Sequence, residues 1–265
     1  MNDNTLLNQY KPESLFGLSN VNALVIGVGG LGQEAALGLS AAGARLAVAD
    51  IDVDRAEAVS GCIERAGGRA DAYSVDVTRK ESVTKLMVNV IRDLGRIQAA
   101  VIAFGITHRG LPEEFGDTDW RKIIDVNLNG SFFSCQALGR HMLEQGGGSI
   151  VLFSSIAGQV GLKNSPAYAA SKGGVDQITR TCAIQWAQNN VRVNAIAPSY
   201  FETDMVARDD NPELKELFRE RLKLVPMARL GQPSELVGAI VFLSSPAASM
   251  ITGVILPIDG GYLSQ

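Results

Sequence analysis

Short, nearly continuous apolar runs alternate along the chain with longer segments of helical periodicity. Runs such as AAVIAF, SIVLFS and VRVNAIA are typical of strands that are covered on both faces of a parallel sheet. The alternation therefore predicts repeated βαβ units and a doubly wound α/β fold. The predicted strands are 22–27, 45–49, 70–75, 97–103, 149–153, 191–196 and 253–258; the predicted helices are 31–42, 53–66, 79–94, 118–144, 166–188, 212–223 and 233–244.

The pattern contains no repeat, low-complexity tract or linker, so we expect one domain over residues 1–265. Asp76 or Thr78 is predicted to cap the third helix, and Pro233 to lie in the first turn of the last one. Right-handed crossovers would place the carboxyl ends of all strands at one edge of the sheet, where ligands of such sheets bind.

Composition narrows the possible classes of protein. Apolar residues make up 46% of the 265 positions and charged residues 20%, which is ordinary for a globular domain. The net charge of −4 and the absence of a basic run weigh against nucleic acid or an anionic membrane as partner. The apolar stretches are too short to span a membrane and the N-terminal residues lack the pattern of a signal peptide, so we expect a cytoplasmic protein. Cys62, Cys135 and Cys182 are widely spaced, which indicates neither a disulfide framework nor a metal site.

A glycine-rich loop follows the first predicted strand and opens the first long helix. In GVGGLG, Gly27 would permit a tight turn, Gly29 would let the backbone approach a pyrophosphate, and Gly32 would let helix pack against strand. Gly30 and Leu31 complete the loop, and the helix N-terminus would offer N–H groups to the phosphates. The string also resembles the nucleotide loop of adenylating enzymes related to ubiquitin activation, and glycines here could merely shape a βα turn.

Asp50 closes the second predicted strand and favours NAD as the cofactor. A carboxylate there can accept hydrogen bonds from both adenosine ribose hydroxyls and would repel a 2′-phosphate. Ile51 follows it, and the glycine loop contains no Arg or Lys that would bind that phosphate, so NADP is less favoured. Asp50 could instead cap the next helix, a role that Asp52 could fill equally well. Asp76, at the end of the third strand, could contact an adenine edge or cap a helix.

Tyr168 and Lys172 lie four residues apart on a predicted helix and therefore share one face. A free tyrosine has a pKa of about 10, and a nearby ammonium favours its phenolate form. Tyr168 could then exchange a proton with a substrate hydroxyl as a hydride moves to or from a nicotinamide. Ser155 could hold the substrate oxygen, and Lys172 could also reach the nicotinamide ribose. Asn127 lies within a helix despite its poor propensity, which hints at a water or backbone contact to the lysine.

These motifs together resemble the short-chain dehydrogenase/reductase family from about residue 15 to the C-terminus. The resemblance is carried by FSSIAG, SPAYAASKGG, VNLNG, VRVNAIAPSYFETDM, ARLGQPSELVGAIVFLSS and ITGVILPIDGGY. It implies a Rossmann fold with seven parallel strands in the order 3-2-1-4-5-6-7, and a homotetramer or a dimer formed through helices 118–144 and 166–188. It implies Ser155, Tyr168 and Lys172 as the catalytic set, with Asn127 as a proton-relay residue. Further cofactor contacts are expected from Val77, Ala103, Gly105, Pro198, Phe201 and Thr203.

The chain departs from the family pattern at three places. The glycine loop is one residue shorter than usual, with Ile26 where the family has Thr. Ile102–Gly105 replaces the family's N-N-A-G and loses an asparagine, and Ser199 follows Pro198 where glycine is usual. The first two departures concern the geometry of cofactor binding more than the chemistry.

Within the family, the stretch GITHRGLPEEFGDTDWRKIIDVNLNG looks most like gluconate 5-dehydrogenases and related polyol dehydrogenases. Arg109 could pair with a sugar-acid carboxylate, or could be a solvated or interface charge. His108 could tune substrate binding or simply be exposed, and His141 is expected on an ordinary helix surface. Residues 200–225 are expected to form a lid over the substrate.

Two other functions stay open at this point. A 3-oxoacyl-carrier-protein reductase would fit the motifs, although it would usually use NADPH and present a basic docking patch. A cofactor-binding sensor could have kept the fold; the altered glycine loop favours it, and the intact Ser155, Tyr168 and Lys172 set argues against it. An adenylating enzyme offers no account of that set, and the paired C-x-x-C motifs common in that class are absent.

Overall fold

A single parallel sheet of seven strands forms the centre of the molecule. The computed structural model describes residues 7–202 and 220–265. The strands are arranged in the order β3-β2-β1-β4-β5-β6-β7, so the predicted fold and strand order are confirmed. Their bounds are β1 Asn22–Ile26, β2 Arg45–Asp50, β3 Ala70–Ser74, β4 Ala99–Ile102, β5 Gly148–Phe153, β6 Val191–Pro198 and β7 Ile255–Ile258.

Helices connect the strands and cover both faces of the sheet. Their bounds are α1 Pro12–Phe16, α2 Leu31–Ala41, α3 Val53–Arg65, α4 Lys80–Leu94, α5 Asp117–Ile123, α6 Ser131–Glu144, α7 Pro166–Trp186 and α8 Val237–Ser244. The short α1 was not predicted, and most of the predicted helix 212–223 lies outside the described residues. Among the described residues, no helix is long and apolar enough to cross a membrane.

Two apolar cores lie on opposite faces of the sheet. Val25 of β1 faces a core that includes residues of α2, α3 and α8. Its neighbour Leu24 faces the other core, which includes residues of α4, α6 and α7. Successive strand residues point to opposite faces, and here both faces are covered, so most central strand positions on either face are apolar. This explains why the apolar runs predicted the strands so well.

The long segment predicted as one helix over 118–144 is divided by a π-helical stretch. α5 runs into a π-helix over Ile124–Gly130, and α6 follows without a break in the helical path. Such widened turns are rare in proteins, and those that occur are often found at functional sites. Asn127 lies in the middle of this one and is fully buried. Its poor helix propensity was the only sign of this irregularity in the sequence.

Two aspartates and a proline near helix starts differ in what they do. Asp52, rather than Asp50, caps α3, with its side chain accepting a hydrogen bond from the Arg55 N–H at 3.3 Å. Neither Asp76 nor Thr78 caps α4, because the residue before the helix is Arg79 and no side chain caps it. Asp76 Oδ1 instead accepts hydrogen bonds from the N–H and the hydroxyl of Thr78, at 3.0 and 2.6 Å. Pro233 opens a 3₁₀ turn that leads into α8, as predicted.

His141 was expected on the surface of a helix, and this prediction is wrong. The ring is buried between α6 and the start of β4, and its Nε2 accepts a hydrogen bond from the Ile97 N–H at 3.1 Å. Gln145 lies 3.3 Å from the other ring nitrogen. Burial lowers the pKa of His141, although Glu144 opposes the shift. The neutral ring therefore satisfies a buried backbone donor that would otherwise be costly.

We expect His141 to make the stability of the protein pH-dependent. Because its pKa is lower in the folded protein than its ordinary value of 6.5, the unfolded chain takes up a proton first as the pH falls. The free energy of unfolding should decrease below about pH 6.5. His141→Gln keeps an acceptor for Ile97 without a titrating ring and should flatten this part of the profile. His141→Ala should cost about 1–3 kcal/mol at pH 8. Denaturant unfolding between pH 5 and 8 measures both effects; an equally steep profile in the Gln variant would contradict them.

Candidate active site

The predicted site residues gather at the carboxyl edge of the sheet. The glycine loop follows β1, Asp50 ends β2, and Ser155 lies just beyond β5. β1 is paired with both β2 and β4, so the strand order reverses beside the glycine loop. In open parallel sheets this switch point is where ligands bind.

The backbone of the glycine loop packs so closely at Gly27 and Gly32 that these positions have no room for a side chain. Gly27 has a φ of +87°, and a Cβ there would lie 2.6 Å from the Phe104 nitrogen. Gly30, the residue before α2, has a φ of +51°. A Cβ on Gly32 would lie 1.9 Å from the Gly27 carbonyl oxygen, so helix and turn are in direct contact there. The first N–H groups of α2 stand at this bare backbone, which suits a pyrophosphate.

Asp50 connects the end of β2 to the glycine loop. Its carboxylate is buried, with Oδ2 accepting from the Val28 N–H at 2.9 Å and Oδ1 from the Asp52 N–H at 3.1 Å. Ile51 follows with 71% of its surface exposed. The loop is thus held in place by the same carboxylate that the sequence assigns to the ribose hydroxyls.

Arg55 is a residue that the sequence analysis missed. It lies in the first turn of α3, and its guanidinium is 3.4 Å from Asp50 Oδ1 and 3.3 Å from Asp52 Oδ2. A Cβ on Gly29 would be 3.3 Å from its Nη1, so the cation also borders the glycine loop. The glycine loop itself contains no Arg or Lys, but Arg55 of α3 places its guanidinium beside the loop. The only sequence signal was its position five residues after Asp50.

At Ile102–Gly105, where the chain departs from the family pattern, an aromatic ring occupies the space beside the glycine loop. Phe104 lies under the glycine loop at Gly27, and its ring also approaches Gly130 of the π-helix. Val77 packs against Gly130 as well, and Ala103 donates its N–H to the Ile26 carbonyl at 2.8 Å. Apolar packing thus replaces the amide that the family pattern would place here.

Tyr168 and Ser155 meet at the edge of the sheet. Tyr168 lies in the first turn of α7, and Ser155 precedes a 3₁₀ turn in which its Oγ accepts from the Ala157 N–H at 3.2 Å. Burial raises the pKa of Tyr168, whereas a hydrogen bond with the Ser155 side chain lowers it. Tyr168 is therefore a half-buried acid whose hydroxyl interacts with the Ser155 side chain.

Lys172 places a buried ammonium one turn beyond Tyr168. Its Nζ donates to the Phe153 carbonyl at 2.7 Å and lies 5.8 Å from the centroid of the Tyr168 ring. Burial lowers the pKa of Lys172 to about 8, while the negative charge of Asp176 opposes this shift. A Cβ on Gly105 would be 3.4 Å from Nζ, so the glycine leaves room for the ammonium.

Asp176 is the second functional candidate that the sequence analysis missed. It is buried one turn after Lys172, and Ser154 donates its hydroxyl to the Asp176 carboxylate. Burial raises the pKa of Asp176, and Ser154, Arg180 and Lys172 oppose the shift. The spacing of Tyr168, Lys172 and Asp176 at intervals of four residues was the available signal.

Asn127 joins the loop after β4 to α7. Its Oδ1 accepts from the Ile106 N–H and its Nδ2 donates to the Ile106 carbonyl, both at 2.8 Å. Nδ2 also lies 3.2 Å from Ser171 Oγ. The Asn127 amide thus contacts the backbone next to Gly105. Lys172 Nζ borders the same glycine, so the connection between Asn127 and Lys172 is indirect.

The remaining predicted residues are more dispersed. His108 is exposed, with Nε2 3.6 Å from Asp119, whereas Arg109 is half-buried beside Tyr200. Pro198 ends β6, and the ring of Phe201 is buried against Gly231 in the core. Thr203 and most of the predicted lid lie outside the described residues.

Known proteins resemble this chain over nearly its whole length. A family model described as enoyl-(acyl carrier protein) reductase matches residues 27–263. Galactitol 2-dehydrogenase (L-tagatose-forming) of Cereibacter sphaeroides is 38% identical, with 94% of this chain and 97% of that protein covered. 5-Keto-D-gluconate 5-reductase of Escherichia coli K12 is 37% identical, with 94% and 98% covered. A gluconate 5-dehydrogenase of Burkholderia cenocepacia, solved with NADP and tartrate, is 31% identical with a TM-score of 0.89, covering 96% of this chain and 100% of that one.

The fold, the site and these matches define an oxidoreductase that binds a nicotinamide cofactor and acts on alcohol groups. The chain belongs to the short-chain dehydrogenase/reductase family. The adenylating-enzyme alternative is thereby excluded.

We expect Asp176→Asn to change the pH profile of the enzyme. Without the carboxylate charge, burial should lower the pKa of Lys172 further below about 8. The loss of kcat/KM that accompanies deprotonation of Lys172 should therefore move to lower pH, with a several-fold loss at pH 8. Ser154→Ala removes the hydrogen bond but keeps the charge, and should leave this limb in place. Steady-state profiles from pH 5 to 10 test the idea, which a profile unchanged in Asp176→Asn would overturn.

Proposed function

We propose that this protein transfers a hydride between a nicotinamide cofactor and a secondary alcohol or ketone of a sugar acid or polyol. The observation that carries the proposal is the half-buried Tyr168, whose hydroxyl interacts with the Ser155 side chain and whose ring lies 5.8 Å from the Lys172 ammonium. The names of the relatives, which act on galactitol and 5-keto-gluconate, support this class of substrate.

In this proposal Tyr168 is the general acid and base. Ser155 holds the substrate oxygen by a hydrogen bond, and the Tyr168 hydroxyl gives a proton to that oxygen during reduction or takes it back during oxidation. The bound nicotinamide supplies or accepts the hydride. The raised pKa of Tyr168 suits the proton donor, and the positive charge of Lys172 favours the phenolate that oxidation requires.

We propose that Asn127 and Lys172 assist Tyr168 and do not themselves exchange a proton with the substrate. Lys172 is held by the Phe153 carbonyl, which keeps the ammonium beside the tyrosine ring. Asn127 fixes the Ile106 backbone next to Gly105, and a water bound there would lead protons from Lys172 towards solvent. The substrate is expected to enter past His108 and Arg109.

We propose NAD as the preferred cofactor. The glycine cradle over Gly27–Gly32 would hold the pyrophosphate, and Asp50 would accept hydrogen bonds from the ribose hydroxyls. Asp76 and Val77 would border the adenine, Ala103 and Gly105 would border the adjoining ribose, and Pro198, Phe201 and Thr203 would contribute to the nicotinamide side. Arg55 gives a 2′-phosphate a cationic partner, so we propose that NADP is also accepted, but less well.

We also propose that the chain works as one domain in a homotetramer or dimer, with residues 200–225 covering the substrate. Phe132 on α6 and Ile184 on α7 are 42% and 81% exposed, and such apolar surface supports contact between copies through these helices. The 3-oxoacyl-carrier-protein reductase alternative has less support, because the net charge is −4 and Asp50 opposes NADPH.

Tyr168→Phe tests the catalytic proposal. The wild-type protein should reduce NAD or NADP in the presence of a member of a panel of sugar acids, polyols and secondary alcohols. The variant should lose at least about 100-fold in kcat, since the group that accepts the proton of the substrate hydroxyl is gone. Absorbance of the reduced nicotinamide measures turnover, and cofactor titration of the variant checks that the fold is intact. Tight cofactor binding without turnover of any panel member would favour the sensor instead.

Substitutions around Asp50 test the cofactor proposal. Arg55→Gln should lower kcat/KM for NADP about 10-fold and leave NAD within about 2-fold, because the 2′-phosphate loses a charged partner while the Val28 and Asp52 N–H groups still hold Asp50. Asp50→Asn should erode the preference for NAD. Arg65→Gln, at the far end of the same helix, is the matched control. An equal loss with both cofactors in Arg55→Gln would show that the arginine only supports the loop.

A further inference from the structure

Two arginines and two tyrosines form a cluster at the mouth of the site. The arginine–tyrosine cluster consists of Arg109, Tyr200, Arg221 and Tyr262. The Arg221 guanidinium lies 5.7 Å from the centroid of the Tyr200 ring. The rings of Tyr200 and Tyr262 meet edge to face, with centroids 6.0 Å apart. Three separate parts of the chain therefore converge on Tyr200.

The cluster concentrates positive charge in a partly desolvated place. Burial lowers the pKa of Arg109, the charge of Arg221 lowers it further, and Tyr200 opposes the shift. The pKa of Tyr200 is raised by burial, whereas Arg221 and Arg109 lower it. The two guanidiniums therefore act on one another and on Tyr200. Guanidinium groups bind carboxylates well, and tyrosine hydroxyls can add neutral donors.

The cluster lies at the same edge of the sheet as Tyr168. Arg109 follows β4, and the next residue, Gly110, donates its N–H to the Asn164 carbonyl at 3.1 Å, four residues before Tyr168. Tyr200 lies two residues beyond β6, the strand that pairs with β5 and its following Ser155. A substrate held by the serine and tyrosine would therefore extend towards the arginines.

We propose that the arginine–tyrosine cluster binds the carboxylate of the substrate, so that the enzyme acts on sugar acids in preference to neutral polyols. This inference rests on the proposed function and sharpens it, because the relatives include both a galactitol dehydrogenase and a keto-gluconate reductase. Arg221 is the new element: it lies over the Tyr200 ring, on which Arg109 also acts, and guanidinium groups match the planar, bidentate geometry of a carboxylate.

The test compares acids with neutral sugars of the same size. The wild-type protein is assayed with D-gluconate, D-gluconamide, which replaces the carboxylate by a neutral amide, and D-glucitol, and with L-threonate and D-threitol as a shorter pair. We expect lower KM values for the acids. Arg221→Gln and Arg109→Gln should each raise KM for the acids about 10- to 100-fold, leave kcat within about 3-fold, and leave KM for the neutral compounds within about 2-fold.

Arg69→Gln is the matched control. Arg69 is exposed and precedes β3, at the opposite edge of the sheet, so every KM should stay the same. Unchanged KM values for the neutral compounds show that the cluster variants are folded. Preference for the neutral compounds, or equal losses with acids and neutral sugars, would overturn the inference and leave the proposed function standing. Failure of the wild-type protein with the acids and neutral polyols alike would instead refute the proposed substrate class.

Discussion

The buried ammonium of Lys172 is the constraint on which the arrangement of the site depends. A charge that has left water is tolerated only when it is hydrogen-bonded and balanced by an opposite charge. Here the Phe153 carbonyl takes the hydrogen bond and Asp176, itself bonded by Ser154, supplies the charge. These contacts join the end of β5 to α7. Because Ser155 belongs to the first and Tyr168 to the second, the same contacts that satisfy the lysine also bring serine and tyrosine together.

A second buried charge organises the cofactor half in the same manner. Asp50 receives the Val28 and Asp52 N–H groups and the Arg55 guanidinium. The Asp50 carboxylate thus holds the backbone of the glycine loop from one side. The other side carries no side chains, because the residues there are glycines. The shortened loop is compatible with this arrangement, because its support comes from a side chain of β2 and from Phe104 rather than from its own length.

The features that could be predicted from the sequence are those that repeat along the chain or involve residues close together in it. The apolar runs predicted the strands, and the family resemblance predicted their order. Short motifs pointed to the glycine loop and to Ser155, Tyr168 and Lys172. Arg55 and Asp176 were missed because their importance depends on which way a helix face turns against a neighbouring strand. His141 was misplaced for a related reason: its partner, the Ile97 N–H, lies 44 residues away and belongs to the backbone, which sequence patterns do not show.

The π-helical stretch Ile124–Gly130 has a consequence for how this part of the chain tolerates change. A π-turn uses an i→i+5 hydrogen bond, so it contains more residues than an α-turn and rotates everything beyond it about the helix axis. Loss of one residue here would leave a regular, more stable helix, yet Asn127 would turn away from Ile106 and the face of α6 would no longer match the sheet. In this segment the number of residues is therefore constrained as well as the identity of Asn127.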